Sequence, residues 1–359
     1  MEFIELAELC DKGSSNLAQK DLVFDSGIYP VYGAPGEITK VDFFYQSKPY
    51  LGLIKDGAGV GRVMQLPANS SVIGTIQYIF PKENVDLKYL YYLIKYLDLG
   101  KANTGATIPH IYFKDYKKRK VKIRNYSEQK NIGQILELID NQLTTYKDIL
   151  EQYDLLIKSR FVELFGDVVL NTLDWPLVKL SAIAEYRIGL TYKPEAVSSS
   201  GIAVLRSGNI QNSQLCYEDT IYVNSKVDPK LLLKKNDILM CARNGSQSLV
   251  GKVALIENDI SNTTYGAFMM AISSKYYVYL FEYFRSQAFR RLISVGSTTT
   301  INQVTTRMLN SIVIPLPDLD TINRFALYHS QINKLKSDVR KSIDETQLLM
   351  DSLMQEYFG

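Results

Sequence analysis

Two histidines, three cysteines and one tryptophan in 359 residues leave little material for several kinds of chemistry. Cys10, Cys216 and Cys241 stand far apart without CxxC spacing, which indicates neither a disulfide framework nor a zinc site, and they read as buried free thiols. His110 and His329 belong to no HExxH or HxE…PCxxC pattern, and no serine sits in a GxSxG elbow. No apolar run approaches the roughly 18–20 residues of a membrane span. The opening MEFIELAELC carries acidic groups where a signal peptide carries basic ones. A soluble, cytoplasmic chain with no membrane partner is therefore expected. The net charge of +3 is too small to identify a polyanionic partner, which has to be argued from local clustering.

Glycine-rich nucleotide motifs are missing as well. In GSQSLVGKV (245–253) five residues instead of four separate Gly245 from Gly251, and Val253 stands where a magnesium-binding Ser or Thr belongs. The run DGAGVG (56–61) is spaced GxGxG and precedes no long helical pattern, so it reads as a turn between strands. There is no Asn-Pro-Pro-aromatic or Asp-Pro-Pro-Tyr tetrapeptide of the kind that holds an amino-methylation target. No catalytic residue, metal site or cofactor site is expected in this chain, which should bind and not transform.

What the chain does contain is a repeat. A shift of 193 positions places Thr107 on Thr300, Ile139 on Ile332, Leu155–Leu156 on Leu348–Leu349 and Phe165–Gly166 on Phe358–Gly359, with no gap from Thr107 to Gly166. A repeat of this length is two copies of a domain and not a solenoid. In each copy an apolar rhythm of alternating three- and four-residue steps marks a long helix. The first runs through Ile132, Ile135, Ile139, Leu143, Tyr146, Leu150, Tyr153, Ile157, Phe161 and Leu164, with Ser127 as candidate cap. The second runs through Ile332, Leu335, Val339, Ile343, Met350, Leu353 and Tyr357, with Asp320 as candidate cap after a segment that Pro315 and Pro317 bar from helix. Each should span about 38 residues, roughly 57 Å at 1.5 Å per residue, and one apolar seam needs a partner, most simply the other copy in an antiparallel coiled coil.

Short apolar segments at 202–206, 237–242, 250–256 and 265–273 predict strands, followed by one helix from Tyr276 to Ile293. The first copy carries weaker strand signals at 50–55, 71–74 and 76–80, then a helix from Asp86 to Leu99. Trp175-Pro176 marks the start of the second copy. The fold class is α+β: two mixed α/β domains, 1–125 and 169–317, alternate with long helices in 126–168 and 318–359.

Polar turns close both domains. KANTGATIPHIYFKDYKKRK (101–120) contributes Lys101, Thr104, Thr107, His110, Tyr112, Lys114, Lys117, Lys118 and Arg119. Its counterpart SVGSTTTINQVTTR (294–307) contributes Thr298, Thr299, Thr300, Asn302, Gln303 and Arg307. Hydroxyls, amides and cations at such turns hold phosphates, and Asn, Gln, Arg and Lys read base edges. A single such loop is ordinarily just solvated surface, but its recurrence in both copies favours DNA contact. Arg243, Asn244, Gln247 and Ser248 form a second polar cluster between strands, and Arg206, Ser207 and Asn209 follow another strand. Tyr112 and Tyr192 suit either base stacking or packing, and Arg62 matches the position of Lys252 loosely.

The order of segments resembles the specificity subunits of type I restriction–modification systems. It runs from an apolar opening such as WPLVKLSAIAEYRIG, through a GATIPHI- or GSTTTIN-like turn and VKIRNYSEQ or IPLPDLD, to a long helix ending in ELFGD or EYFG. The resemblance covers nearly the whole chain. It implies two target-recognition domains, each reading one half of a split sequence in double-stranded DNA, and helices that space them and dock two methyltransferase subunits. It further implies restriction/motor subunits as partners, with S-adenosylmethionine held by the methyltransferase and ATP and Mg by the motor/nuclease subunit. The second copy departs from the pattern in having Asp320, Thr321 and Ile322 where the first has Ser127, Glu128 and Gln129. A self-sufficient DNA methyltransferase or nuclease is the alternative, though it lacks a cofactor loop. A coiled-coil scaffold explains the helices but not the polar-lipped domains.

Overall fold

The computed structural model describes residues 3–102, 109–295 and 302–359. Its contacts divide the chain into two units, Met1–Ile149 with Asp338–Gly359, and Leu150–Ser337, so that each unit takes part of both long helices.

The first unit is built on a four-stranded antiparallel sheet in the order Cys10–Ser14, Ile76–Pro81, Tyr50–Ile54, Val63–Leu66. All five residues of the central YLGLI strand are buried, because the sheet is covered on both faces. Leu51, Leu53 and Ile79 pack with Tyr89, Leu90, Leu93 and Ile94 of helix Leu87–Leu97, while Tyr50, Ile54, Ile76 and Tyr78 face a second cluster with Val72. Each such side chain contributes about 1.5–3 kcal/mol on burial. The helix begins where the Asp86 carboxylate accepts the Tyr89 amide at 3.0 Å and ends where Asp98 turns to φ +42°. A smaller sheet orders Gly36–Val41, Tyr29–Gly33 and Ser71–Val72, the last pair parallel.

The second unit repeats this plan. Its larger sheet runs Glu185–Ile188, Met269–Ser273, Ile238–Cys241, Val253–Leu255, and its smaller one Val197–Ser198, Ile221–Val223, Ile202–Leu205, Thr263–Tyr265, again with the last pair parallel. Two expected elements are divided. The single strand expected over 265–273 breaks at Gly266–Phe268 and serves two sheets, with Gly189 lying so close to the Gly266 carbonyl that a Cβ there would approach it to 2.2 Å. The helix expected over 276–293 becomes Tyr277–Arg285 and Gln287–Val295. At the break Ser286 is extended; its hydroxyl donates to the Tyr283 carbonyl at 2.6 Å and accepts the Phe289 amide at 3.3 Å, the local competition with the helix that serine favours.

The long helices are Tyr126–Phe165 and Leu319–Phe358, 40 residues each and offset by the same 193 positions as the repeat. Their caps keep that offset. Asn125 accepts the Glu128 amide at 2.9 Å, and Asp318 accepts the Thr321 amide at 2.8 Å, so Ser127 and Asp320 lie inside the helices and are not their caps. In the first unit Ile132 and Leu136 share a cluster with Met350, Met354 and Phe358. In the second, Ile157, Phe161 and Phe165 share one with Ile322, Phe325 and Ile332 around Tyr279. Two seam positions are corrected: Ile135 and Leu335 are exposed, while Leu136 and Lys336 are buried, the latter with its ammonium 2.8 Å from Asp154. A helix turning every 3.6 residues drifts off a strict heptad, which moves the buried stripe by one residue.

Cys10 and Cys241 are buried and Cys216 half-buried, which corrects the expectation that all three are buried. Burial pushes the Cys10 thiol up to about 12 and also raises Cys241, so neither is a nucleophile near neutrality. Among the described residues no helix is long and apolar enough to cross a membrane.

Candidate nucleic-acid interface

The polar turns are held by a main-chain frame that recurs bond for bond. In the first unit DGAGVG reverses the chain between Tyr50–Ile54 and Val63–Leu66, with Gly57, Gly59 and Gly61 all at φ near +85°. The Gly61 amide donates to Ile54 O at 2.8 Å and the Ile54 amide to Arg62 O at 2.9 Å. In the second unit the Gly251 amide donates to Cys241 O and the Cys241 amide to Lys252 O, both at 2.8 Å. Arg62 and Lys252, matched only loosely by sequence, thus occupy one structural position.

A returning segment then docks on each turn. The Ile111 amide donates to Lys55 O at 3.0 Å and the Gly57 amide to Pro109 O at 3.0 Å; in the second unit Val304 donates to Ala242 O at 2.7 Å and Asn244 to Asn302 O at 3.4 Å. The enclosed residues form isolated bridges, Asp56 opposite His110 and Arg243 opposite Gln303. Short helices Phe113–Tyr116 and Thr306–Ser311 follow, starting after Tyr112 and Thr305.

In the second unit Arg243, Gln247, Ser248, Gln303 and Arg307 are exposed, and Asn244 and Asn302 half-buried. Asn244 donates to the Ser207 hydroxyl at 3.1 Å and accepts the Ser246 amide at 2.9 Å, while Asn302 donates to Gly245 O at 3.3 Å, so both amides order the loop. The Arg243 guanidinium lies 5.6 Å over the exposed Phe268 ring. A cleft of about 460 Å³ is lined by Gln247, Ser248, Asn302, Gln303 and Arg290. Another, of about 790 Å³, has Tyr192, Arg206, Ser207 and Phe268 on its walls. Tyr192 also packs on the Val204 and Val223 cluster, so packing is at least part of its role. Asn209 is a correction: it is buried and its amide is spent on Cys216 O (2.9 Å), Glu218 O (3.2 Å) and Thr220 Oγ1 (3.3 Å), which leaves it shaping a loop and not facing a ligand.

In the first unit the exposed Tyr112 ring stands 4.0 Å from the His110 ring, with the Lys114 ammonium 5.0 Å from its centroid. His110 Nδ1 is hydrogen-bonded to Asp56 Oδ1. Lys114, Lys118 and Arg119 are exposed and Lys117 half-buried, their backbone pinned where Ala7 donates to Lys117 O at 3.0 Å and Leu6 to Arg119 O at 2.9 Å. Lys101 is exposed and pairs with Asp98 at 2.9 Å; Arg62 donates to the Ala34 carbonyl. Thr104, Thr107, Thr298, Thr299 and Thr300 lie outside the described residues.

Sequence reasoning passed over Asp56, Phe268 and Arg290. Asp56 looked like part of a turn, Phe268 like the middle of a strand, and Arg290, which donates to Val250 O at 2.5 Å, like helix surface. The Gly266-Ala267 pair inside an otherwise bulky run was the available signal for Phe268. Among the described residues no group of His, Cys, Asp and Glu is placed to hold a metal ion.

The chain thus consists of two units on one plan, each presenting a polar turn beside cations and aromatic rings. The chain belongs to the type I restriction modification DNA specificity domain family, whose model matches residues 1–152 and again 172–343. It is 23% identical over 331 residues to the MjaVIII type I restriction enzyme specificity subunit of Methanocaldococcus jannaschii, covering 84% of this chain and 76% of that protein. Over 159 residues it is 27% identical to the StySPI specificity subunit of Salmonella potsdam, covering 40% of this chain and 33% of that protein. Its fold is shared with the crystal structure of a type I restriction–modification S subunit from M. genitalium, at a TM-score of 0.65 and 17% identity, over 100% of this chain and 96% of that one. A chain from a study of complex assembly in a type I system superposes with a TM-score of 0.55 at 12% identity, over 99% and 97% of the two chains.

Proposed function

We propose that this chain is the non-catalytic DNA reader of a type I restriction–modification enzyme, each variable domain (1–125 and 169–317) recognising one half of a bipartite target in double-stranded DNA. The observation that carries this reading is the recurrence of one main-chain frame under both polar turns, each of which presents exposed polar or charged side chains. Lys114, Lys118 and Arg119 supply phosphate contacts, and the exposed side chains of the second turn reach base edges.

The long helices pair as an antiparallel coiled coil that spaces the two readers. What supports this is that the core of each unit takes apolar residues from both helices. They also dock two copies of a methyltransferase subunit. Leu155 and Leu156 are 59% and 46% exposed, and Leu348 and Leu349, at the same place in the second helix, 69% and 50%, which offers an apolar patch twice. S-adenosylmethionine then belongs to the methyltransferase, and ATP and Mg to the restriction/motor subunit.

The test is gel-shift titration over a salt series with the triple variant Lys114→Ala, Lys118→Ala, Arg119→Ala. Loss of up to three phosphate contacts should weaken all sequences alike and lower the slope of log K on log salt by about 0.9 per contact. An unaltered slope would remove the first turn from the interface.

A further inference from the structure

The frame under the two turns is the same, but the side chains it presents at one pair of positions are chemical opposites. Asp56 and His110 in the first unit are replaced by Arg243 and Gln303 in the second, with the flanking main-chain bonds, Ile111 to Lys55 and Gly57 to Pro109, repeated as Val304 to Ala242 and Asn244 to Asn302. These frame bonds are made by main-chain atoms alone, so the fold does not dictate which side chains stand there.

We propose that these paired positions are the specificity-determining residues of the two units: Arg243 with Gln303 reads a purine edge, guanine through Arg243, and Asp56 with His110 reads a base that presents an amino group, cytosine. The inference rests on the DNA-reading function proposed above. A carboxylate repels phosphate, so the position of Asp56 is unsuited to a backbone contact, and the shared frame puts Arg243 at the equivalent place in its own unit. Arg243 and Gln303 are exposed, and among the described residues the Arg243 guanidinium makes no hydrogen bond or ion pair. Resting against Phe268 at 5.6 Å orders that guanidinium without using its donors, and the free fork matches guanine O6 and N7. Gln303, opposite it in the bridge, carries the carboxamide that suits adenine at the neighbouring base pair.

In the first unit the His110 imidazole engages Asp56 Oδ1 through Nδ1, is buttressed by Tyr112 at 4.0 Å, and Asp56 Oδ2 lies 3.7 Å from the Lys55 ammonium. When the imidazole is neutral with Nδ1–H donating to the carboxylate, Nε2 is an acceptor and the pair offers acceptors only. Acceptors take the N4 amino group of cytosine and reject the O6 and N7 edge of guanine.

The test uses the full chain co-expressed with its methyltransferase, reading the methylated motif in host DNA, together with binding of the purified complex to an oligonucleotide panel. Arg243→Ala should lower discrimination at one guanine of one half-site by roughly tenfold to a hundredfold while leaving the other half intact. Asp56→Asn should do the same at one cytosine of the other half. Arg243→Lys and Asp56→Glu keep the charge but not the geometry; with wild-type melting curves they should also lose discrimination, which separates reading from folding. Unchanged motifs in all four variants, or equal weakening on every sequence, would overturn the assignment. A wild-type complex that methylates no split motif would instead overturn the reader function itself, so the two failures are distinct.

Discussion

At the residue scale, the second unit places its least expected charges where they stabilise its core. Glu282 is 5% exposed, yet its carboxylate accepts from Arg285 at 2.6 Å and lies 3.4 Å from His329 Nε2. Burial alone would push this carboxyl up; the His329 hydrogen bond and the Arg285 charge outweigh it and hold it below its ordinary value of 4.5. A carboxyl lowered in the folded state stabilises above its unfolded value, and that contribution is lost as pH falls through the folded one. Glu282→Gln should therefore cost about 3–5 kcal/mol at pH 7, the scale for breaking a buried pair. The gap in melting temperature between variant and wild type should then narrow as pH drops below about 4.5. A gap of constant size from pH 7 to pH 3 would show that the charge contributes nothing. Little of this was legible beforehand, because Glu282 sits in an aromatic run, YVYLFEYFR, and although Arg285 closes that same run, His329 comes from the second long helix about 45 residues further on.

At the element scale, the long helices were the most legible part of the chain, since a period near 3.5 sustained over most of 40 residues fits neither strand nor loop. Their length, their offset and most of their buried stripe follow from Ile132, Leu143, Ile157, Phe161 and Ile332. Their caps did not, because Asn125 and Asp318 sit two residues before the residues that draw the eye. The sheets were half legible. Fully buried strands such as Tyr50–Ile54 and Ile238–Cys241 announce themselves as apolar runs. Edge strands such as Cys10–Ser14 and Glu185–Ile188 carry charges and glycine that look like loop. The site was legible in its location and not in its chemistry: the turns could be found by their recurrence, but only the backbone bonds pair Asp56 with Arg243. The exposed leucine pairs give this scale its prediction. If these pairs are the proposed docking patches, Leu155→Glu with Leu156→Glu should abolish binding of one methyltransferase subunit, and the matching changes at Leu348 and Leu349 that of the other, without altering helix content by circular dichroism. Full occupancy in both variants would place the docking surface elsewhere.

At the scale of the whole molecule, the offset of 193 positions holds between strands Ile76–Pro81 and Met269–Ser273 and again from the returning residues 109–111 and 302–304 to the ends of both long helices, whereas the helices in between, Leu87–Leu97 and Tyr277–Arg285, start 190 positions apart. If each helix of 40 residues is a spacer of about 60 Å, then adding one helical turn to both should lengthen the unread gap of the target while both half-sequences stay the same. Sequencing the methylated motif of such a variant checks it, and a change in either half-sequence would contradict the division between spacer and reader.

The two turns also differ in length between identical closing bonds: 55–60 fill the first frame and 242–250 the second, three residues more. Such a frame behaves as a socket. The bonds that close its base, Gly61 to Ile54 and Gly251 to Cys241, are made by residues outside the stretch, those to the returning segment use main-chain atoms alone, and each added residue costs little in loop-closure entropy, since even doubling a loop adds only about 0.6 kcal/mol. If the turns are the readers proposed above, new recognition can be acquired by exchanging a stretch of six to nine residues and leaving the sheet beneath it undisturbed. The molecule separates what must stay constant for folding from what is free to diversify, and it does so at two addresses that one chain carries and can alter independently.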